Sequence, residues 1–197
     1  MILIQSIQAL YAATIDKSKF REKASRIIVF GLPLLYWGRQ PQWWGMGVVF
    51  LGLAVRAWGA GHLRKDQNMA LGGPYLLVRH PLYLGSCLLS LGLIIALHHW
   101  FVTALVGGLT ALTYWHTIRH EEKNLLARFG EPYAQYCQKV APLWPTPSSL
   151  NLFFASFRKG AAPTTRFSWK QYLHNKEYEA LLGILLIMFV LYSGASK

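Results

Sequence analysis

Charge is what this sequence has least of, and acidic charge above all. Of 197 residues only 8 are Asp or Glu against 20 Lys or Arg, and charged residues make up 14% of the chain while hydrophobic ones make up 53%. A charged fraction well under the roughly 25% of soluble domains makes a bilayer the expected solvent. Cysteine is equally scarce. Cys87 falls in an apolar run and Cys137 in a polar segment, so the two should lie at different depths, and no disulfide framework is implied. The first fifteen residues have neither a basic leader nor a small-residue cleavage pattern and are expected to form a retained interfacial helix or partial span. No internal repeat is present. His116 and His120 have the spacing of helical zinc ligands, but the glutamate of a His-Glu-x-x-His motif is missing, so no metal site is expected.

What the chain does contain is apolar length. Residues 24–38, 43–60, 81–97, 100–118 and 178–194 approach the ~20 residues that cross a bilayer, the first of them short and broken by Pro33. Eight Trp and ten Tyr suit the two membrane interfaces. The net charge of +12 raises the question of nucleic acid. Its distribution answers with membrane lipids, because the basic residues flank the apolar runs and do not form an aromatic-studded face. They cluster before the first run, after the second and after the fourth, so five crossings put every cluster on one side. Arg56, inside the second run, needs a partner or must snorkel to the surface. The expectation is an all-α, polytopic transmembrane helical bundle of about five spans in a bacterial cytoplasmic membrane, amino terminus inside. Three regions follow: 1–60 with the N-terminal helices and first two spans, 61–145 as the core, and 146–197 as a basic interfacial segment and final span.

The Leu97-His98-His99-Trp100 link is short enough to make the third and fourth spans an antiparallel hairpin, with Ser86, Ser90, Gly107 and Ala111 as small residues for close approach. Two cytoplasmic helix ends then meet. At one, Gly72-Gly73-Pro74-Tyr75 is a turn and Pro81 suits a first helical position, so Arg79 and His80 stand beside a dipole end that receives anions. At the other, Glu121 and Glu122 end a helix where the dipole disfavours carboxylates, which invites a cation. Arg119 and Lys123 can supply it internally, or a ligand ammonium can. Tyr114, Ile118, Glu121 and Leu125 share a helical face, whereas Glu122 lies on an adjacent strip with Trp115 and Arg119. Together the two ends suit a zwitterionic amino acid headgroup.

The ordered run Gly73-Pro74-Tyr75, Arg79-His80-Pro81-Leu82-Tyr83-Leu84-Gly85, then Glu121-Glu122 with Leu125, Phe129-Gly130, Tyr133, Tyr136 and Val140 before Pro142, resembles the isoprenylcysteine carboxyl methyltransferase family and its bacterial and phospholipid-methylating relatives over about residues 60–145. The resemblance implies a membrane methyltransferase using S-adenosyl-L-methionine on a lipophilic or lipid-modified acceptor, such as the carboxylate of a prenylated cysteine. It implies a cytoplasmic cofactor pocket between the third and fourth spans, closed by a short C-terminal cap starting at Gly130, Pro132, Tyr133 and Tyr136. Cofactor contacts carried over are Tyr75, Arg79, His80, Pro81, Leu82, Tyr83 and Glu121, with Gln67, Asn68, Met69 and Ala70 occupying the adenosine-side stretch in different residue types. Thr117 stands where the eukaryotic enzymes carry a substrate arginine, which leaves Arg119 and Glu122 as candidates to orient the acceptor. Two other readings fit the scaffold: a nicotinamide-dependent reductase of membrane lipids, and a non-catalytic assembly factor. The acceptor and the oligomeric state stay open.

Overall fold

The computed structural model describes residues 42–64, 69–97, 100–158 and 166–195. The N-terminal apolar segment, the 24–38 span, Gln67, Asn68 and the His98-His99 link lie outside the described residues. Among those described the chain is all-helical: α1 (Trp43–His62), a 3-10 turn (Gly73–Leu76), α2 (Pro81–Leu97), α3 (Trp100–Phe129), α4 (Glu131–Lys139), α5 (Pro147–Arg158), α6 (Trp169–His174) and α7 (Tyr178–Ala195). Pro41–Gly183 forms one compact unit, and the chain from Ile184 belongs to another. Of the described helices, α1 is long and apolar enough to cross a membrane by length and composition, and Pro81–Ala96 and Tyr178–Ser193 are apolar but shorter.

α3 departs from the expected span. It continues to Phe129, well past residue 118 where apolar character ends, because Glu, Lys, Leu, Ala and Arg keep favouring helix after hydrophobicity stops. The extension carries Glu121 and Glu122 in mid-helix, so neither caps a terminus, and the dipole argument for a cation there lapses.

The tightest packing lies between α1 and α2. Gly45, Gly52 and Gly59 recur every seven residues on α1, as do Gly85 and Gly92 on α2, so each helix turns one glycine stripe to the other. A Cβ on Gly52 would sit 2.7 Å from the Gly85 carbonyl oxygen, one on Gly92 2.5 Å from the Val49 nitrogen, and one on Gly45 2.6 Å from the Gly92 carbonyl oxygen. Backbone therefore meets backbone. The close approach expected between the third and fourth spans is found here instead: a Cβ on Gly107 would only touch Ile94 at 3.8 Å, and Gly108 faces open space. Ser86 is occupied otherwise, accepting a hydrogen bond from Arg56 and donating to the Leu82 carbonyl at 3.0 Å.

Two glycines in the left-handed region set the loops around the site. Gly73, at φ +59°, lies so close to the His62 ring that a Cβ would meet Nε2 at 2.5 Å, which fixes the turn against the end of α1. Gly130, also at φ +59°, ends α3 and lets α4 turn away. After α4 the chain pairs with the entry to α2: the Arg79 amide donates to the Ala141 carbonyl at 2.9 Å and the His80 amide to that of Pro142 at 3.0 Å.

Candidate functional site

Pro81 opens α2 and fixes where its first turn starts. With Arg79 and His80 amides already committed to Ala141 and Pro142, the anion-receiving character of this helix start narrows to the turn after Pro81. Against it lies the polar stretch of α3. The Tyr83 hydroxyl donates to Glu121 Oε2 at 2.7 Å, and the Tyr83 ring lies between those of His80 and Tyr114, with centroids 5.5 and 5.3 Å away. Glu122 sits one residue on and faces different partners, Arg79 at 2.8 Å and His80 Nε2 at 3.3 Å. The sequence reading had grouped Glu122 with Arg119 and Trp115. Arg119 instead stacks on the Trp115 ring, 4.2 Å from its centroid, on the exposed face of α3.

Between these elements opens a cavity of about 330 Å³, within the range of sites that enclose a cofactor-sized molecule. Its walls include nine of the eleven residues singled out as cofactor contacts: Met69, Ala70, Tyr75, Arg79, His80, Pro81, Leu82, Tyr83 and Glu121. The other two, Gln67 and Asn68, lie outside the described residues. Leu125, Phe129, Tyr133 and Tyr136 close the side toward α4, and the Tyr136 hydroxyl donates to the Tyr75 carbonyl at 2.7 Å, tying cap to turn. Arg119 and Glu122 are not part of the wall. Glu122 instead contacts two residues that are, Arg79 and His80.

Three wall residues escaped the sequence reading: Leu63, Arg64 and Arg128. A signal existed for one. Arg128 stands seven residues after Glu121, two helical turns along the same face. Leu63 and Arg64 follow the end of α1, and only the fold of the 3-10 turn onto His62 brings them in.

Electrostatics in the cavity follow burial. Removal from water raises the hydroxyl pKa of Tyr75, Tyr133 and Tyr136, so all three are neutral donors. Burial likewise lowers the pKa of His80 below the ordinary imidazole value, against the opposing pull of Glu121 and Glu122 and with a smaller push from Arg79. Its ring is therefore neutral at pH 7. One buried donor on this wall, Arg79 Nε, has no hydrogen-bond partner among the described residues, whereas the Tyr133 hydroxyl lies against the Cys137 thiol. Unsatisfied buried donors cost about 1–3 kcal/mol each unless something else satisfies them, which is the signature expected of a ligand site.

Comparison with known proteins gives two findings. A family model described as phospholipid methyltransferase matches residues 30–132, which is more than half of the chain and includes the start of α2 and the stretch of α3 that faces it. The chain is also 32% identical over 131 residues to the cobalt-zinc-cadmium resistance protein CzcN of Cupriavidus metallidurans, an alignment covering 62% of this chain and 60% of that protein. The chain thus spans less than two thirds of the curated relative it matches. No solved structure matches.

Proposed function

The chain belongs to the phospholipid methyltransferase family, and on that premise we propose that it is an integral membrane methyltransferase that takes S-adenosyl-L-methionine from the cytoplasm and methylates a lipophilic acceptor arriving from the bilayer. The observation that carries this reading is the cavity itself. A carboxylate, Glu121, and Arg79, whose buried Nε has no partner among the described residues, line one volume of about 330 Å³ together with the Tyr133 ring. A zwitterionic amino acid group needs that combination: an acid for its ammonium and donors for its carboxylate.

The residues fit the cofactor in chemical type. Glu121 would receive the ammonium, held in place by the Tyr83 hydroxyl. Arg79 and the first turn of α2 would take the carboxylate, while Tyr75, Phe129 and Tyr136 offer ring surface to the apolar and sulfonium portions. Met69 and Ala70 would border the adenosine. When bound, S-adenosyl-L-methionine supplies an activated methyl group on sulfur, so no metal or covalent enzyme intermediate is needed. The protein's task is then to align an acceptor lone pair and exclude water. Tyr136 and Tyr133 on α4 do the excluding. Arg64, just after α1, and Arg128, on α3, both line the wall and favour an acceptor with an anionic oxygen such as a carboxylate. Glu122 orients Arg79 and His80, and Arg119 remains a candidate only for contact with acceptor outside the cavity. The basic loops favour a bundle of about five crossings whose site faces the cytoplasm.

Calorimetry with S-adenosylhomocysteine on the full chain in detergent tests the reading. Binding is expected, with nicotinamide dinucleotides failing to compete. Glu121→Gln should weaken it roughly 10- to 100-fold, as loss of a charge-assisted hydrogen bond of about 1.5–3 kcal/mol predicts. No binding by the parent protein, or an unchanged dissociation constant in the variant, would overturn it.

A further inference from the structure

The 166–177 segment lies beyond the residues matched by the family model, which end at 132. It reaches back to α1 at several points. The Ser168 amide donates to the Gly61 carbonyl at 2.9 Å, and the Phe167 ring covers Gly61 closely enough that any Cβ there would collide with it. Asn175 Nδ2 donates to two carbonyls at the end of α1, Ala60 at 2.9 Å and Leu63 at 3.0 Å. Both lie at the end of a helix, where carbonyls are ordinarily left to water or to a local cap; that of Ala60 also accepts from the Leu63 amide at 3.3 Å.

Two residues later Glu177 makes a two-point contact with Arg56, Nε to Oε2 and Nη2 to Oε1, each at 2.9 Å. The side chains are only 12% and 22% exposed. The remaining guanidinium nitrogen of Arg56 reaches across to α2, donating to Ser86 and to the Leu82 carbonyl at 3.4 Å. Arg56, expected to need a partner inside its apolar helix, thus has one that is also linked to the neighbouring helix.

Between Asn175 and Glu177, Lys176 adopts φ +56°, a conformation unfavourable for a residue with a Cβ and retained only where surrounding contacts dictate it. That backbone turn is what aims Asn175 and Glu177 at α1 together. Their two ends of reach are both cavity wall: Leu63, held directly by Asn175, and Leu82, held through Arg56.

We propose that the 175–177 turn is a positioning clasp, in which Asn175 and Glu177 hold the Leu63 and Leu82 edges of the cavity at a fixed separation and so set its affinity for the cofactor. Asn175 and Glu177 touch no ligand. They act through Leu63, Arg56 and Leu82, by keeping the cavity in its binding shape before the ligand arrives. The identity of the ligand rests on the methyltransferase reading; the clasp does not.

The experiment pairs two measurements on the full chain in detergent: S-adenosylhomocysteine affinity by calorimetry, and hydrogen exchange of backbone amides. Asn175→Ala and Glu177→Gln should each raise the dissociation constant 5- to 20-fold. Exchange should rise in residues 69–76 while the interior of α2 stays protected, a local pattern that general loss of stability would not produce. In any methyl-transfer assay, KM for the cofactor should rise while kcat at saturating cofactor holds within twofold. Glu177→Asp, which keeps the charge, should fall between parent and Glu177→Gln, and it serves if the harsher variants do not fold. Unchanged affinity and unchanged exchange in 69–76 would overturn the proposal. If the parent protein binds no S-adenosylhomocysteine, the functional reading fails, and the exchange pattern alone decides the clasp.

Discussion

The two faces of α2 are built on opposite principles. Toward α1 it presents glycine, and the helices touch backbone to backbone with no room for a methyl group. Toward α3 it presents Tyr83, with His80 just before its first residue, and the partners are carboxylates, rings and a cavity. The first face has one possible arrangement. The second is held by polar contacts that a ligand can rearrange. A rigid seam on one side lets the other side be open, since the position of α2 is already set before any ligand binds. The sharpest way to break this comparison is to add a side chain to the seam. Gly45→Leu forces a branched group into the Gly92 and Ala96 backbone, where even a Cβ would sit 2.6 Å from a carbonyl oxygen. The expected loss exceeds about 4 kcal/mol, the range reached only by severe core damage. Gly47→Leu, two residues away with nothing within 4 Å, should leave the melting temperature within a few degrees. Equal melting temperatures for the two variants would remove the seam from the argument.

On the polar face the largest effect should come from Glu122, not Glu121. Arg79 is 10% exposed and its close carboxylate partner is Glu122 at 2.8 Å, itself 26% exposed. Glu122→Gln leaves a buried guanidinium without its counter-charge, at a cost of about 3 kcal/mol. Glu121, 44% exposed, carries no such burden, so Glu121→Gln should barely change the melting temperature while it weakens the cofactor. Thermal unfolding of both variants with and without S-adenosylhomocysteine separates the roles. If Glu122→Gln melts like the parent, the Arg79 pair does not contribute as the geometry requires.

Much of this was readable in the residues. The apolar run at 81–97 coincides with α2, and those at 43–60 and 178–194 fall within two residues of α1 and α7, because length and hydropathy are local properties. The grouping of the turn at Gly73-Pro74-Tyr75, the start at Pro81 and the acid at Glu121 was legible because two helices consecutive in sequence run antiparallel, although Glu121 proves to lie within α3 and not at its end. The glycine seam was not read from the sequence, although its seven-residue spacing stands on both helices; the four-residue spacing of Ser86, Ser90, Gly107 and Ala111 pointed to the other pair. What no local pattern encodes is pairing at long range. Arg56 to Glu177 spans 121 residues and Arg79 to Glu122 spans 43, and nothing in the spacing of either partner announces the other. The same holds for the amides of Arg79 and His80, whose acceptors come from a segment after α4.

The smallest effect, and the one that probes the polar face without disturbing its shape, is titration of His80. Burial lowers its pKa, Glu121 and Glu122 oppose that shift, and Arg79 adds to it. In the unfolded chain the imidazole takes up a proton near pH 6.5, whereas in the folded chain it resists until a lower pH. Between those two values the unfolded state holds more protons, so stability is fully present above about pH 6.5 and declines as pH falls through the window. One group can contribute a slope of at most about 1.4 kcal/mol per pH unit. His80→Gln should flatten that part of the profile while the seam variants keep it, apart from a uniform offset. The ionisable side chain beside the α1–α2 glycine contacts is Arg56, paired to Glu177 and common to both variants, so a pH slope that survives in His80→Gln would have to arise outside His80 and would leave the neutral imidazole at the cavity wall without support.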